Sequence, residues 1–173
     1  MTLNRSFFAK LYIVGLLTFV VHELAHWLTG LAFGYDMILT LNRVITRGEA
    51  LPLHAGLITA AGPAITILQA VVGYAWLKRS KTTIGFALLY MAFFMRLVAT
   101  LVSLFNPNDE ATLGILLGIG FWTLPLLVVL GLLALVWQAS RHLDLTWKDH
   151  LACYGVASLA VATVVGADMW LFG

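Results

Sequence analysis

A long apolar stretch near the N-terminus decides the fold: residues Phe7–Phe33 read FFAKLYIVGLLTFVVHELAHWLTGLAF. A helix that spans a bilayer needs about 20 mostly apolar residues, so this stretch is long enough to cross. The 173-residue chain is 61% hydrophobic and 10% charged, with a mean hydropathy of +0.95. Soluble domains are about a quarter charged, so this composition excludes a water-soluble enzyme, a disordered chain and a nucleic-acid binder. We expect an integral, multi-pass protein of the lipid bilayer.

Five apolar stretches are long enough to span, and they predict an all-α polytopic membrane protein. The stretches are Phe7–Phe33, Leu53–Leu77, Ile84–Phe105, Leu113–Trp137 and Leu151–Phe172. Short polar or turn-forming segments separate them. The length suits a single transmembrane domain over residues 1–173.

The loop after the first span carries a strand pattern. Over Met37–Thr46, apolar and polar residues alternate, with an interruption at Arg43-Val44. This alternation predicts a strand that turns at Arg47-Gly48-Glu49. The alternative is an interfacial loop.

The first span contains the motif His22-Glu23-Leu24-Ala25-His26. Two histidines four residues apart lie one turn apart on the same helix face, so both imidazoles can bind one metal ion. Zinc binds neutral imidazole and activates water, and a flanking carboxylate that is not a ligand, here Glu23, can take the proton. With five histidines in the chain, chance placement gives about 0.002 such matches. The alternative, a hydrogen-bonded His–Glu cluster without metal, must bear the cost of three ionisable groups in a lipid-embedded helix.

A third zinc ligand is expected in the loop after the third span, because catalytic zinc sites usually have three protein ligands. Pro107 prevents a regular helix there, so the chain can unwind on the side where the first span ends. We predict Asp109 as the third ligand. Glu110 is the rival, and a solvated loop acid is the alternative for either residue.

Two more polar side chains lie in or near the predicted spans. Arg96 lies in mid-span, where an unpaired cation is costly, so it is expected to pair with Glu23, Glu110 or a backbone carbonyl. We expect Arg96 to have a structural role or to support the metal ligands. His54, at the start of the second span, is an alternate ligand, a substrate contact or an interfacial histidine.

Three further features have structural interpretations. The segment Ala60-Ala61-Gly62-Pro63-Ala64 predicts close helix packing and a proline kink. The pair Gly114-x-x-x-Gly118 predicts helix packing or dimerisation. Asp168, near the end of the last span, is expected to reach water.

Three motifs in this order resemble the site-2 protease family of intramembrane zinc metalloproteases. They are His22-Glu23-Leu24-Ala25-His26 in the first span, Ala61-Gly62-Pro63 in the second, and Asn106-Pro107 followed by Asp109 after the third. The resemblance covers residues 11–110, which would form the catalytic core, and residues 113–173 would add two transmembrane helices. The family's usual Leu-Asp-Gly is replaced by Asn108-Asp109-Glu110, which leaves the ligand open between two acids.

The resemblance implies a site and a function. His22, His26 and Asp109 would bind one zinc ion per chain, and Glu23 would be the general base. The segment Met37–Thr46 would form a membrane-associated β-hairpin that takes up substrate. The implied function is a zinc-dependent intramembrane endopeptidase that cuts a transmembrane protein or a membrane peptide.

Two residues are expected to contact that substrate. Asn42 belongs to the hairpin segment, and Thr66 stands where the family often has an asparagine. The alternative function is a non-catalytic metal-binding membrane protein, a degenerate protease acting as a chaperone or sensor, which the retained Glu23 disfavours. An ion transporter ranks last, because the predicted fourth span has no ionisable residue.

Charge and resemblance disagree about the orientation in the membrane. Five spans put the termini on opposite sides, and the N-terminal side carries seven cations against two. The seven are Arg5, Lys10, Lys78, Arg79, Lys81, Arg141 and Lys148, and the two are Arg43 and Arg47. This count favours a cytoplasmic N-terminus. The resemblance implies instead that the catalytic ends of the spans face the cytoplasm, so the orientation is left open.

Overall fold

The computed structural model describes residues 3–80 and 82–173, which form six helices and one two-stranded sheet. The helices are α1 Arg5–Ala32, α2 Pro52–Ser80, α3 Thr83–Val102, α4 Asp109–Leu116, α5 Thr123–His142 and α6 Trp147–Phe172. The strands β1 Met37–Leu39 and β2 Val44–Thr46 lie between α1 and α2. The predicted all-α polytopic fold with a small hairpin between its first two helices is confirmed. Lys81, one of the cations counted above, lies outside the described residues.

Five of these helices, all except α4, are long and apolar enough to cross a membrane. Many of their large apolar side chains are exposed, as Leu17 on α1 and Leu127 on α5 illustrate with exposed fractions of 55% and 63%. Exposed apolar faces on long helices suit contact with lipid. The fold is therefore consistent with a multi-pass membrane protein.

The predicted fourth span, Leu113–Trp137, is wrong in its first part. Helix α4 already ends at Leu116, and the chain turns before α5 begins. Gly118 and Gly120 have φ angles of +68° and +96° in this turn, which glycine adopts without steric cost. A Cβ on Gly114 would collide with the carbonyl oxygen of Gly120. The predicted packing pair Gly114 and Gly118 therefore forms a tight helix end within one chain.

The segment between α3 and α4 unwinds around Pro107, as predicted, although α3 ends at Val102 and not at Phe105. Asn108 is the N-cap of α4, because its side chain accepts a hydrogen bond from the Ala111 N–H at 2.8 Å. The Asn108 N–H in turn donates to the Ser103 hydroxyl at 3.1 Å. These bonds start a new helix whose first turn contains two acids.

The hairpin between α1 and α2 is antiparallel, with Ile38 opposite Ile45. Its turn lies at residues 40–43, where the Thr40 N–H donates to the Arg43 carbonyl at 2.9 Å. The turn predicted at Arg47-Gly48-Glu49 is therefore wrong, and the strand predicted over Met37–Thr46 is two strands, β1 and β2. The interruption of the alternation at Arg43-Val44 lies where the turn meets β2.

Helix α3 is the most buried helix and contacts α1, α2, α5 and α6. Gln69 of α2 links three helices, because its side-chain amide donates to the Thr18 hydroxyl at 2.9 Å and to the Leu88 carbonyl at 3.0 Å. Interhelical hydrogen bonds of this kind stabilise helix association in a bilayer. They hold α1, α2 and α3 together one helical turn before His22 along α1.

Candidate metal centre

The two histidines of α1 point into the bundle, as their spacing predicts. His22 and His26 are 3% and 6% exposed, and their Nε2 atoms lie 3.1 Å apart. His22 lies ten residues before Ala32, the last residue of α1, which is about 15 Å of helix at 1.5 Å per residue. The pair therefore lies well inside the helix, away from its C-terminal end.

Asp109, at the start of α4, completes a triad with these histidines. Its Oδ2 atom lies 3.2 Å from Nε2 of His22 and 3.5 Å from Nε2 of His26. A tetrahedral ion with ligand distances of about 2.0–2.1 Å holds its ligand atoms about 3.3 Å apart. The three atoms thus match one face of a tetrahedron.

Hydrogen bonds on the far side of each ring favour metal binding through Nε2. Nδ1 of His26 donates to the Ile58 carbonyl at 2.6 Å. Nδ1 of His22 lies 3.0 Å from the Thr66 hydroxyl, which donates its own proton to the Gly62 carbonyl at 2.9 Å. Neutral rings with both protons on Nδ1 would present two Nε2 lone pairs towards the carboxylate of Asp109, and Nη2 of Arg96 lies 3.5 Å from both ring nitrogens of His22. Such a cluster of electron-pair donors suits a cation.

Thr66 lies behind His22 and is 1% exposed. Within the described chain it is not among the residues that line the cavities next to the triad. That Thr66 contacts substrate stays a prediction. The contact of its hydroxyl with Nδ1 of His22 would orient the His22 ring.

Gly62 of α2 packs directly against both histidine rings. A Cβ at this position would lie 2.5 Å from Cε1 and 2.6 Å from Nε2 of His22, and it would collide with Nε2 of His26. Any larger residue would displace the ligands. The segment predicted only as a packing feature therefore also forms a wall of the metal centre.

Arg96 pairs with Glu110, one of the three partners predicted for it. Nη1 of Arg96 lies 3.1 Å from Oε1 of Glu110, and both residues are 2% exposed. The same Nη1 lies 3.6 Å from Oδ2 of Asp109. Glu110 thus supports Arg96, while Asp109 is the acid that joins the histidines.

The formal charges of the centre leave room for a divalent cation. Glu23, Asp109 and Glu110 can carry three negative charges, against one positive charge on Arg96. All except Asp109 are less than a tenth exposed. Uncompensated charge is costly in a buried site, and a divalent ion would balance these formal charges.

A cavity of about 480 Å³ opens beside the triad. Its walls come from α1, the hairpin, α2, α3, the segment before α4, and α6. Glu23 and Asn42 both line it, while Glu23 also lines a second cavity of about 190 Å³. The cavity places two of the triad's residues, His22 and His26, on the same wall as Glu23. That Asn42 contacts substrate stays a prediction.

His54 lies apart from the triad. Its ring stacks on Phe33 with the centroids 4.2 Å apart, and its Nδ1 lies 3.0 Å from the Tyr35 hydroxyl. The structure supports the interfacial interpretation of His54 and gives it no ligand position.

Asp168 was expected to reach water, and this prediction is wrong. It is 7% exposed and does not reach out to water, because its Oδ1 accepts hydrogen bonds from the N–H groups of Leu41 and Asn42. An acid near the C-terminus of a helix is disfavoured by the helix dipole. That mismatch was the available signal that Asp168 serves another partner.

The centre thus combines three candidate ligand atoms with a neighbouring carboxylate on a cavity wall. Comparison with protein-family models, curated proteins and solved structures finds no match. A divalent ion held by such a ligand set can activate water.

Proposed function

We propose that this chain is a zinc-dependent intramembrane endopeptidase of the site-2 protease type. The observation that carries the proposal is the triangle formed by Nε2 of His22, Nε2 of His26 and Oδ2 of Asp109, with sides of 3.1–3.5 Å. Two imidazoles and one carboxylate are a recurrent ligand set of catalytic zinc. Glu23 lines the same cavity without belonging to the triad.

Hydrolysis requires a base, an activated water and a fixed peptide bond. Zinc bound by the triad supplies Lewis-acid activation of the water and of the scissile carbonyl. Glu23 takes a proton from the water as its oxygen adds to the carbonyl carbon, and it delivers that proton to the amine nitrogen as the C–N bond breaks. Its burial beside the ligands suits this transfer.

The hairpin offers a way to hold the substrate. A transmembrane helix hides its peptide groups in its own hydrogen bonds, so cleavage requires an unwound segment. Among the described residues β2 pairs only with β1, so its other edge can add an extended strand. Val44 and Thr46 of β2 line the cavity that contains the triad. A strand on this edge would therefore lie next to the ligands.

Reconstitution of the purified chain in lipid vesicles tests this proposal. The probe is a synthetic Leu–Ala peptide of about 20 residues, interrupted by Gly-Ser, with a fluorophore and a quencher at its ends. We expect cleavage that a zinc chelator abolishes and added zinc restores. Glu23→Gln should keep one zinc per chain and lose activity about a thousandfold, within the range for removal of a general base.

The matched control is Glu49→Gln, since Glu49 is exposed in the loop after the hairpin. This variant should cleave like the wild type. Full activity of Glu23→Gln would refute its assignment as base. A wild type that binds zinc and cleaves nothing would favour the non-catalytic metal-binding alternative.

A further inference from the structure

The hairpin is fixed to the bundle at both of its ends. Near its base, the Trp27 indole N–H of α1 donates to the Met37 carbonyl at 3.3 Å. At its turn, Oδ1 of Asp168 accepts from the N–H of Leu41 at 2.8 Å and from that of Asn42 at 3.2 Å. Asp168 lies near the end of α6, so the first and last spanning helices hold the hairpin between them.

The contact at the turn matters because the hairpin is small. Each strand has only three residues, and an isolated two-stranded ribbon is marginally stable on its own. Its position is therefore set by the groups that anchor it. One buried carboxylate oxygen satisfies two adjacent turn amides, which fixes both the location and the tilt of the turn.

Helix α6 also contributes directly to the cavity beside the triad. Val161 and Val165 line the same cavity as the hairpin residues Asn42 and Val44. Asp168 follows Val165 by about one helical turn. Helix α6 thus lines the cavity and, through Asp168, also contacts the hairpin that lines it.

We propose that Asp168 is a positioning residue for the cleavage reaction. Its carboxylate fixes the hairpin turn so that the free edge of β2 holds an extended peptide at the correct distance from the triad. The inference rests on the proposed peptidase function. It also assigns α6 to the substrate-binding apparatus, whereas the sequence placed that helix outside the catalytic core.

Two variants of Asp168 separate its acceptor oxygen from its bulk. Asp168→Ala removes the acceptor, and Asp168→Asn keeps one carbonyl oxygen that can accept from both amides. Met169→Ala is the matched control, because Met169 is the neighbouring residue and is 70% exposed. All three variants are reconstituted as full chains, with zinc, and are tested on the Leu–Ala probe peptide.

The first readout is hydrogen–deuterium exchange over residues 37–46, which does not depend on activity. We expect faster exchange in Asp168→Ala and wild-type exchange in Asp168→Asn and Met169→Ala. The second readout is kinetic. Asp168→Ala should raise KM about tenfold with a much smaller change in kcat, because ground-state binding of the peptide is weakened. Zinc content should stay at one per chain.

Unchanged exchange and unchanged KM in Asp168→Ala would overturn the inference, and so would an Asp168→Asn variant that behaves like Asp168→Ala. Failure of the peptidase proposal has a different signature, since the wild type would then cleave no probe at all. In that case the exchange readout still decides whether Asp168 positions the hairpin.

Discussion

Arg96 and Glu110 form a buried ion pair whose closest atoms, Nη1 and Oε1, lie 3.1 Å apart behind the metal centre. The pair joins α3 to the first turn of α4. It therefore holds in place the short helix that supplies Asp109.

The first prediction concerns the stability of this pair. Glu110→Gln removes the closer counter-charge of a buried guanidinium and leaves only Oδ2 of Asp109, 3.6 Å away, so the free energy of unfolding should fall by about 3 kcal/mol. The double variant Arg96→Met with Glu110→Leu should recover most of that loss, because apolar side chains of similar volume avoid the desolvation cost. Denaturant unfolding in detergent micelles measures both.

The control for this prediction is Asp36→Asn. It breaks the pair between Asp36 and Arg47, whose side chains are 67% and 65% exposed. This variant should cost less than about 1 kcal/mol. A double variant as unstable as Glu110→Gln alone would contradict the expected recovery.

The second prediction distinguishes the two acids after Pro107. Asp109→Ala should lower zinc affinity by more than about a hundredfold, because it removes a ligand, whereas loss of a supporting group costs about 10–100-fold. Glu110→Gln should retain zinc under conditions where it stays folded. Competition with a chromophoric chelator measures the affinities. Wild-type affinity in Asp109→Ala would move the third ligand elsewhere.

The third prediction uses two glycines of α2. Gly62→Ala should abolish zinc binding, because its methyl group would occupy the space of the His22 and His26 rings. Gly56→Ala is the matched control on the same helix, since its Cβ would meet only a Leu116 methyl group at 4.0 Å. Zinc content after purification gives the result. Equal zinc in the two variants would show that α2 does not pack against the ligands in this way.

The fourth prediction tests the orientation of His22 by Thr66. Thr66→Val keeps the shape of the side chain but removes the hydroxyl, so zinc affinity should fall about 10–100-fold. Thr66→Ser keeps the hydroxyl and should bind zinc close to the wild-type level. If the two variants bind zinc equally, the hydroxyl does not set the ring orientation.

Local sequence patterns predicted the histidine pair, because both histidines lie on one helix. The spacing of His22 and His26 fixes their common face, and Pro107 disfavours a regular helix in the segment around it. The ligand choice between Asp109 and Glu110 could not be made locally. Adjacent residues at a helix start point in different directions, and the direction of each depends on the Asn108 cap and on Arg96, which belongs to another helix.

The errors have the same origin. Hydropathy carries no information about the positive φ angles of Gly118 and Gly120. One apolar stretch was therefore interpreted as one span, although a helix ends within it. The partner of Asp168 lies more than 120 residues earlier in the chain, and no pattern of period 2 or 3.6 reports such a contact. Tertiary hydrogen bonds of single side chains were the missing information.

The wide separation of the ligands along the chain sets an order of events during biosynthesis. His22 and His26 enter the membrane with α1, long before the ribosome has made Asp109. An ion that needs all three ligands would bind with full affinity only after α3 has inserted and the following segment has folded back into the bundle. On the proposed function, a nascent chain would therefore bind metal weakly, and the hydrolase would become active only once its assembly is complete.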